Sequence, residues 1–253
     1  MKLVDVHAHL TDAKFDDVED VILRAKENGV QNIICSAYDL SSSKKAVELA
    51  EKYENVFACV GIHPEYVEDF NDQDLHQLEN LALSEKVVAI GEIGLDYYWV
   101  SDNKDLQKEV FEKQIDLANK TNLPIVVHCR DAIGDAIEIL KNNKIKRESL
   151  LHCYSGSKES AKILSDLNFS FSFGGVVTFK NAKTAVEVVE FLPIEKILLE
   201  TDCPYMSPEP FRGKRNEPKN VVYVADKISK IKGLSIEAVA ENTTRNAKRI
   251  FKI

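Results

Sequence analysis

Eight short apolar runs punctuate this 253-residue chain, separated by longer stretches of helical period. The runs are Leu3–Val6, Val30–Cys35, Val56–Val60, Val87–Ile90, Pro124–Val127, Leu150–Leu151, Phe169–Phe173 and Ile197–Leu199. Runs that are apolar at nearly every position suit strands covered on both faces, as in a parallel sheet; a half-exposed strand would alternate. Between them, Val18, Val21, Ile22 and Ala25 follow the 3.6-residue period and stop at Asn28-Gly29, a helix C-terminal signal. Leu106, Val110 and Leu117, flanked by Phe111 and Ala118, do the same before Asn122. A final helix carries Ile236, Val239, Ala240, Thr243, Ala247, Ile250 and Phe251 on one face. No linker, repeat or low-complexity tract interrupts the series, so residues 1–253 are expected to form one domain. Eight strand–helix units in this length fit an α/β fold of the (β/α)8 TIM-barrel type. A doubly wound open sheet is the rival. It would need a reversal of strand order and usually a glycine-rich phosphate turn, whereas the first run leads into "HAHLTDAKF".

In a barrel the C-terminal ends of all strands meet on one rim. His7 and His9 close the first run, and strand alternation would place them on one face with Asp5. Glu92 lies two residues past the fourth run, His128 ends the fifth, His152 the sixth and Asp202 the eighth. The chain has six histidines; four occupy these places, His63 follows the third run, and only His76 falls in a helical stretch. A single histidine at a strand end is commonly just hydrogen-bonded, and a lone Glu92 or Asp202 could cap a helix. Six such residues on five strand ends instead make a nitrogen–oxygen set suited to zinc, manganese, magnesium or a similar divalent ion. Six ligands exceed what one tetrahedral ion with an open position needs. They suit two ions sharing a carboxylate, which together clamp the attacking and leaving oxygens of a displacement. Asp5 is expected to fix a histidine tautomer from behind, since a buried carboxylate without a partner is costly.

The net charge is −8. A protein that binds nucleic acid by general electrostatics should be basic, so any phosphate ligand here needs a local cation source, which the metal pair would supply. The five cysteines are odd in number and widely spaced, which argues for free, buried thiols. Cys129 and Cys153 each follow a histidine and would point away from it in a strand, so neither is counted as a ligand. No basic leader followed by an apolar stretch opens the chain, and no run could span a bilayer. A cytoplasmic monomer without membrane contact or an obligate protein partner is expected.

Seven segments, "VDVHAHL", "GIHPE", "GEIGLDYY", "LPIVVHCRDA", "LHCYSGS", "LLETDCPY" and "RGKRNEP", resemble in order the motifs of the TatD-like metal-dependent deoxyribonucleases, within the amidohydrolase-type barrels. The resemblance runs on to "NTTRNAKRIF" and covers essentially the whole chain. It implies one metal held by His7, His9, Glu92 and Asp202, and a second by Glu92, His128 and His152. Many amidohydrolase relatives bridge with a carboxylated lysine; Glu92 needs no modification, which favours phosphodiester cleavage with DNA as substrate. Glu92 and Asp202 are then the catalytic carboxylates, Asp202 either binding metal alone or also taking a proton from water. Hydrolysis of a small amide or ester by the same metals is the alternative, and a barrel with purely structural metals a third. His63 is a candidate phosphate contact or a turn histidine fixed by Pro64. Arg215, with Arg212 and Lys214, is a candidate backbone contact or a solvated charge run, and Asn216 and Glu217 are expected to brace that loop. Arg130 is expected to pair with Asp131 or Asp135 on the surface, with a phosphate contact as the other option. Tyr97, Tyr98 and Trp99 would stack on bases or cover the rim.

Overall fold

The computed structural model describes residues 1–253. Eight parallel strands pair in sequence order: β1 (Leu3–Ala8), β2 (Val30–Ser36), β3 (Val56–Val60), β4 (Val87–Asp96), β5 (Ile125–Arg130), β6 (Ser149–Leu151), β7 (Phe169–Phe173) and β8 (Ile197–Leu199). The order contains no reversal, which excludes the doubly wound alternative. The seam between first and last strands closes where Asp202 N–H donates to the His7 carbonyl (3.0 Å) and His9 N–H to the Cys203 carbonyl (2.8 Å). Nine helices surround the strands: α1 (Val18–Glu27), α2 (Leu40–Lys52), α3 (Asp72–Leu81), α4 (Lys104–Thr121), α5 (Ile133–Asn142), α6 (Lys158–Asp166), α7 (Lys183–Phe191), α8 (Val221–Lys232) and α9 (Ile236–Phe251). None is long and apolar enough to cross a membrane.

The near-continuous apolar runs serve two separate cores. Residues such as Leu3, Ile33, Val56, Val127 and Phe171 pack outward under the helices. Val4, Val6, Ile34, Val126, Leu150 and Leu198 fill the barrel, capped by Ala247, Ile250 and Phe251 of α9. A barrel of this size is thus a packed core rather than a pore.

Four strands outrun their apolar segments: β1 continues to Ala8, β2 to Ser36, β4 to Asp96 and β5 to Arg130. Between the last two, Gly94↔His128, Leu95↔Cys129 and Asp96↔Arg130 extend the ladder. The inward positions turn polar before the pairing ends, so hydrophobicity marks the end of the greasy interior and not of the strand. Glu92 therefore lies inside β4 and not beyond it. Gly94 permits the close approach: a Cβ there would fall 2.0 Å from the His128 carbonyl oxygen.

The simple alternation expected in β1 fails. Val4 and Val6 belong to the interior cluster, yet Ala8 belongs to the outer one. The register with β2 shifts between Asp5 and Ala8, so the parity changes in the middle of the strand. A slip of this kind re-aims side chains at a barrel mouth, and it separates Asp5 from the two histidines. All five cysteines are free.

Candidate metal centre

Glu92 lies at the middle of the rim, its side chain only 4% exposed. Its two oxygens face different groups. Oε2 is 3.2 Å from His7 Nε2 and 3.6 Å from His9 Nε2. Oε1 is 2.8 Å from His128 Nδ1, 2.7 Å from His152 Nε2 and 3.4 Å from His63 Nε2. Asp202 completes the first group, with Oδ1 3.2 Å from His9 Nε2 and 3.8 Å from His7 Nε2. The His7 and His152 rings stack at 3.9 Å and link the two sides. The fold thus brings together all six residues singled out as ligands. Three overlapping triads hold ligand atoms within 4.8 Å of one another: His7–Glu92–His152, His7–His9–Asp202 and His63–Glu92–His128.

Hydrogen bonds behind the rings test whether this cluster suits a cation. His9 Nδ1 lies 3.0 Å from the Ser36 carbonyl oxygen, which can only accept, so that nitrogen carries a proton. His128 Nε2 lies 2.8 Å from Asp96 Oδ2, whose partner Oδ1 accepts the backbone N–H groups of Tyr98 and Trp99. Each neutral ring then turns a lone pair towards a carboxylate oxygen, a repulsive contact unless a proton or cation lies between. The donor set fits divalent ions. The titration behaviour has the same origin. Burial disfavours a charged His9, but its hydrogen bond to Asp202 and the Glu92 charge outweigh burial and lift it to about 9. His128 is likewise carried to about 9, burial being overcome by Asp96 and Glu92. Burial wins at His7, lowered to about 4, and also lowers His63. At Glu92 burial is outweighed by the surrounding imidazoles, His152 foremost, and the carboxylate stays ionised. Metal binding would displace protons from this set.

His63 belongs to the ring but differs in tautomer. Its Nδ1 accepts the Glu65 backbone N–H (3.2 Å), so the proton of the neutral ring sits on Nε2, facing Glu92 and the cavity. It is an N–H donor where the neutral His9 and His128 rings offer lone pairs.

Three supporting residues escaped the sequence reading. Ser36 holds both first-strand histidines, through its carbonyl to His9 and its hydroxyl to His7 Nδ1 (3.1 Å). Asp96 holds His128. Glu200, wholly buried, accepts from Cys153 N–H (2.8 Å) and the Ser172 hydroxyl (2.5 Å), and burial pushes it up to about 7. The role expected of Asp5 falls to Ser36. Asp5 instead accepts the backbone N–H groups of His7 (3.3 Å) and Thr201 (2.9 Å) and the Thr201 hydroxyl (2.5 Å), tying β1 to the end of β8. Carboxylates inside "GLD" and "LLETD" were the available signals for Asp96 and Glu200; Ser36 carried none.

The centre opens into a cavity of about 840 Å3. Arg215 is not among its lining residues. Its guanidinium binds Asp17 through both terminal nitrogens (2.7 and 2.9 Å) and Glu217 (3.2 Å), and stacks on Phe15. Asn216 does brace the loop, donating to the Thr201 and Tyr205 carbonyls, while Glu217 anchors Arg24. The surface pairing expected for Arg130 is absent, because Asp135 is taken by Lys108 (2.6 Å) and the Tyr97 hydroxyl (2.8 Å).

A TIM barrel with a carboxylate shared among imidazoles at its strand ends defines the class of metal-dependent barrel hydrolases. The TatD related DNase model matches residues 4–252. The chain belongs to that family. It is 47% identical over 253 residues to the uncharacterized metal-dependent hydrolase YabD of Bacillus subtilis (strain 168), covering 99% of each chain. It is 38% identical to the uncharacterized metal-dependent hydrolase YcfH of Escherichia coli (strain K12), over all of this chain and 97% of that one. The crystal structure of YJJV, a TatD homolog from Escherichia coli K12, superposes with a TM-score of 0.94 at 30% identity, covering 99% of this chain and 98% of that one.

Proposed function

We propose that this barrel cleaves phosphodiester bonds in DNA with two divalent ions, one held by His7, His9, Glu92 and Asp202, the other by Glu92, His128 and His152. The observation that carries the reading is the division of Glu92, one oxygen to the His7–His9 side and the other to the His128–His152 side. An unmodified carboxylate at the bridge and the family's description as DNases favour phosphodiesters over amides. When bound, the ions activate water and neutralise charge on the phosphoryl oxygens.

The remaining work falls to side chains. Asp202 is ionised, because its contact with His9 outweighs burial, and its Oδ2 has no hydrogen-bond partner in the protein. That oxygen is placed to take the proton of the attacking water. Glu92 fixes the spacing of the two ligand groups. His63, neutral with its proton on Nε2, donates to a phosphate oxygen as charge builds there.

The test is hydrolysis of bis-p-nitrophenyl phosphate and single-stranded DNA by metal-loaded protein, beside a panel of amides, lactones and carboxylic esters. Phosphodiester turnover should vanish on chelation, return with metal, and fall at least ~100-fold in Glu92→Gln. Turnover of carbonyl substrates alone would overturn the reading.

A further inference from the structure

Among the candidates for nucleic-acid contact, the fold treats Arg215 and Arg130 oppositely. Arg215 is consumed by Asp17 and Glu217. Arg130 ends β5 two residues beyond His128, lines the cavity, and has neither an ion pair nor a side-chain hydrogen bond to the protein. Its guanidinium lies over the Tyr98 ring at 3.9 Å and the Trp99 ring at 5.3 Å. Both rings are largely exposed, Tyr98 at 54% and Trp99 at 62%, so this platform is not core packing. A guanidinium stacked by its face keeps its edge N–H donors free, the geometry that grips a phosphate with two parallel bonds.

The platform is wired to the metal centre. Asp96 Oδ1 accepts the N–H groups of Tyr98 (2.9 Å) and Trp99 (2.8 Å), and its Oδ2 takes the proton of His128 Nε2 (2.8 Å). Tyr97 N–H donates to the Arg130 carbonyl at 3.0 Å. One carboxylate therefore sets both a ligand imidazole and the turn on which Arg130 rests.

We propose that Arg130, held on Tyr98 and Trp99, binds the phosphodiester neighbouring the scissile one, making a polynucleotide strand rather than an isolated phosphate ester the preferred substrate class. This rests on the phosphodiesterase reading. In an acidic protein a lone unpaired arginine at the mouth supplies the attraction that the overall charge denies. Lys183, at the start of α7, lines the same cavity without an ion-pair partner and adds to it.

The experiment compares metal-loaded wild type with Arg130→Ala, Arg130→Lys and Tyr98→Ala on two substrates. Pentathymidylate has neighbouring phosphates; bis-p-nitrophenyl phosphate has none. For Arg130→Ala, kcat/KM on pentathymidylate should fall about tenfold further than on the small ester, mainly through KM. The slope of log(kcat/KM) against log[salt] should lessen by about 0.7 for the lost single-strand contact. Arg130→Lys should restore that slope but only part of the KM, since a point charge neither stacks nor binds with two bonds. Tyr98→Ala keeps the charge and removes the nearer ring of the platform; it should raise KM selectively on pentathymidylate, and it decides the matter if Arg130→Ala does not fold. Equal losses on both substrates, or an unchanged KM for pentathymidylate, overturn the inference alone. Wild type that leaves pentathymidylate intact while turning over other substrates overturns the DNase reading and the inference with it.

Discussion

Asp96 shows at the scale of one residue what the sequence conceals. It stands in a segment that carries the family resemblance, yet it lies past the end of an apolar run and looks like a loop acid. Its importance comes from its two oxygens facing opposite ways, one to an imidazole and one to a pair of backbone N–H groups. That division needs a carboxylate. An asparagine can offer its oxygen to His128 or to the turn, and its amide nitrogen then meets a donor on the other side. Asp96→Asn is expected to weaken metal affinity roughly 10–100-fold, as losses behind a ligand histidine generally do. Titration of metal-stripped protein with zinc against a competing chelator measures it, and an unchanged affinity would remove Asp96 from the support of the centre. The six candidate ligands were legible because histidines are few and fell at strand ends. Ser36 was not, since half its contribution is a backbone carbonyl that any residue type could present.

At the scale of the element, pattern identified every strand and the buried faces of α1 and α9, but it left out part of the face that α4 buries. The visible apolar stripe of α4 was Leu106, Val110 and Leu117, flanked by Phe111 and Ala118; Leu106 is only half-buried, and the buried face takes in Gln107 and Gln114, both fully enclosed. These glutamines act as staples. Gln114 accepts the Ile62 N–H (2.8 Å) and donates to the Ile62 carbonyl (2.9 Å), immediately before His63. Gln107 does the same for Asp96, at 2.8 and 3.0 Å. Polar residues at helical spacing resemble a solvated stripe, so nothing local distinguishes a staple from a surface residue. Gln114→Leu keeps the volume and strips both backbone groups of their partner, costing about 1–3 kcal/mol for each group left unpaired. Urea denaturation should show a lower midpoint with an unchanged slope. A midpoint equal to wild type would mean that the strand end is held without the helix.

For the whole molecule, the count of strand–helix units specified a closed barrel, but not how its lower end is sealed. The last helix was visible as an amphipathic stretch; that it plugs the barrel is a long-range fact. The plug is pinned by Glu148, just before β6. Glu148 Oε1 accepts from Ser170 of β7 (2.7 Å), Lys196 just before β8 (3.2 Å) and Arg249 of α9 (2.9 Å). Its Oε2 takes the Arg249 Nε–H (2.8 Å). Burial alone would raise this carboxyl; Arg249, Ser170 and Lys196 outweigh it and bring it down from 4.5 to about 2. A carboxyl depressed on folding stabilises the native state above its unfolded value, and that contribution is lost as pH falls through the folded one. Glu148→Gln should therefore cost about 1–3 kcal/mol at neutral pH. The gap to wild type should stay constant above about pH 5, narrow between 4.5 and 2, and close below that. Thermal unfolding of both proteins across this range reads the gap directly, with metal held absent so that acid release of an ion at the other rim does not add to the difference. A gap that persists unchanged to pH 2 would assign the loss to packing, because only the charge of Glu148 responds to acid in that window and its side-chain volume does not.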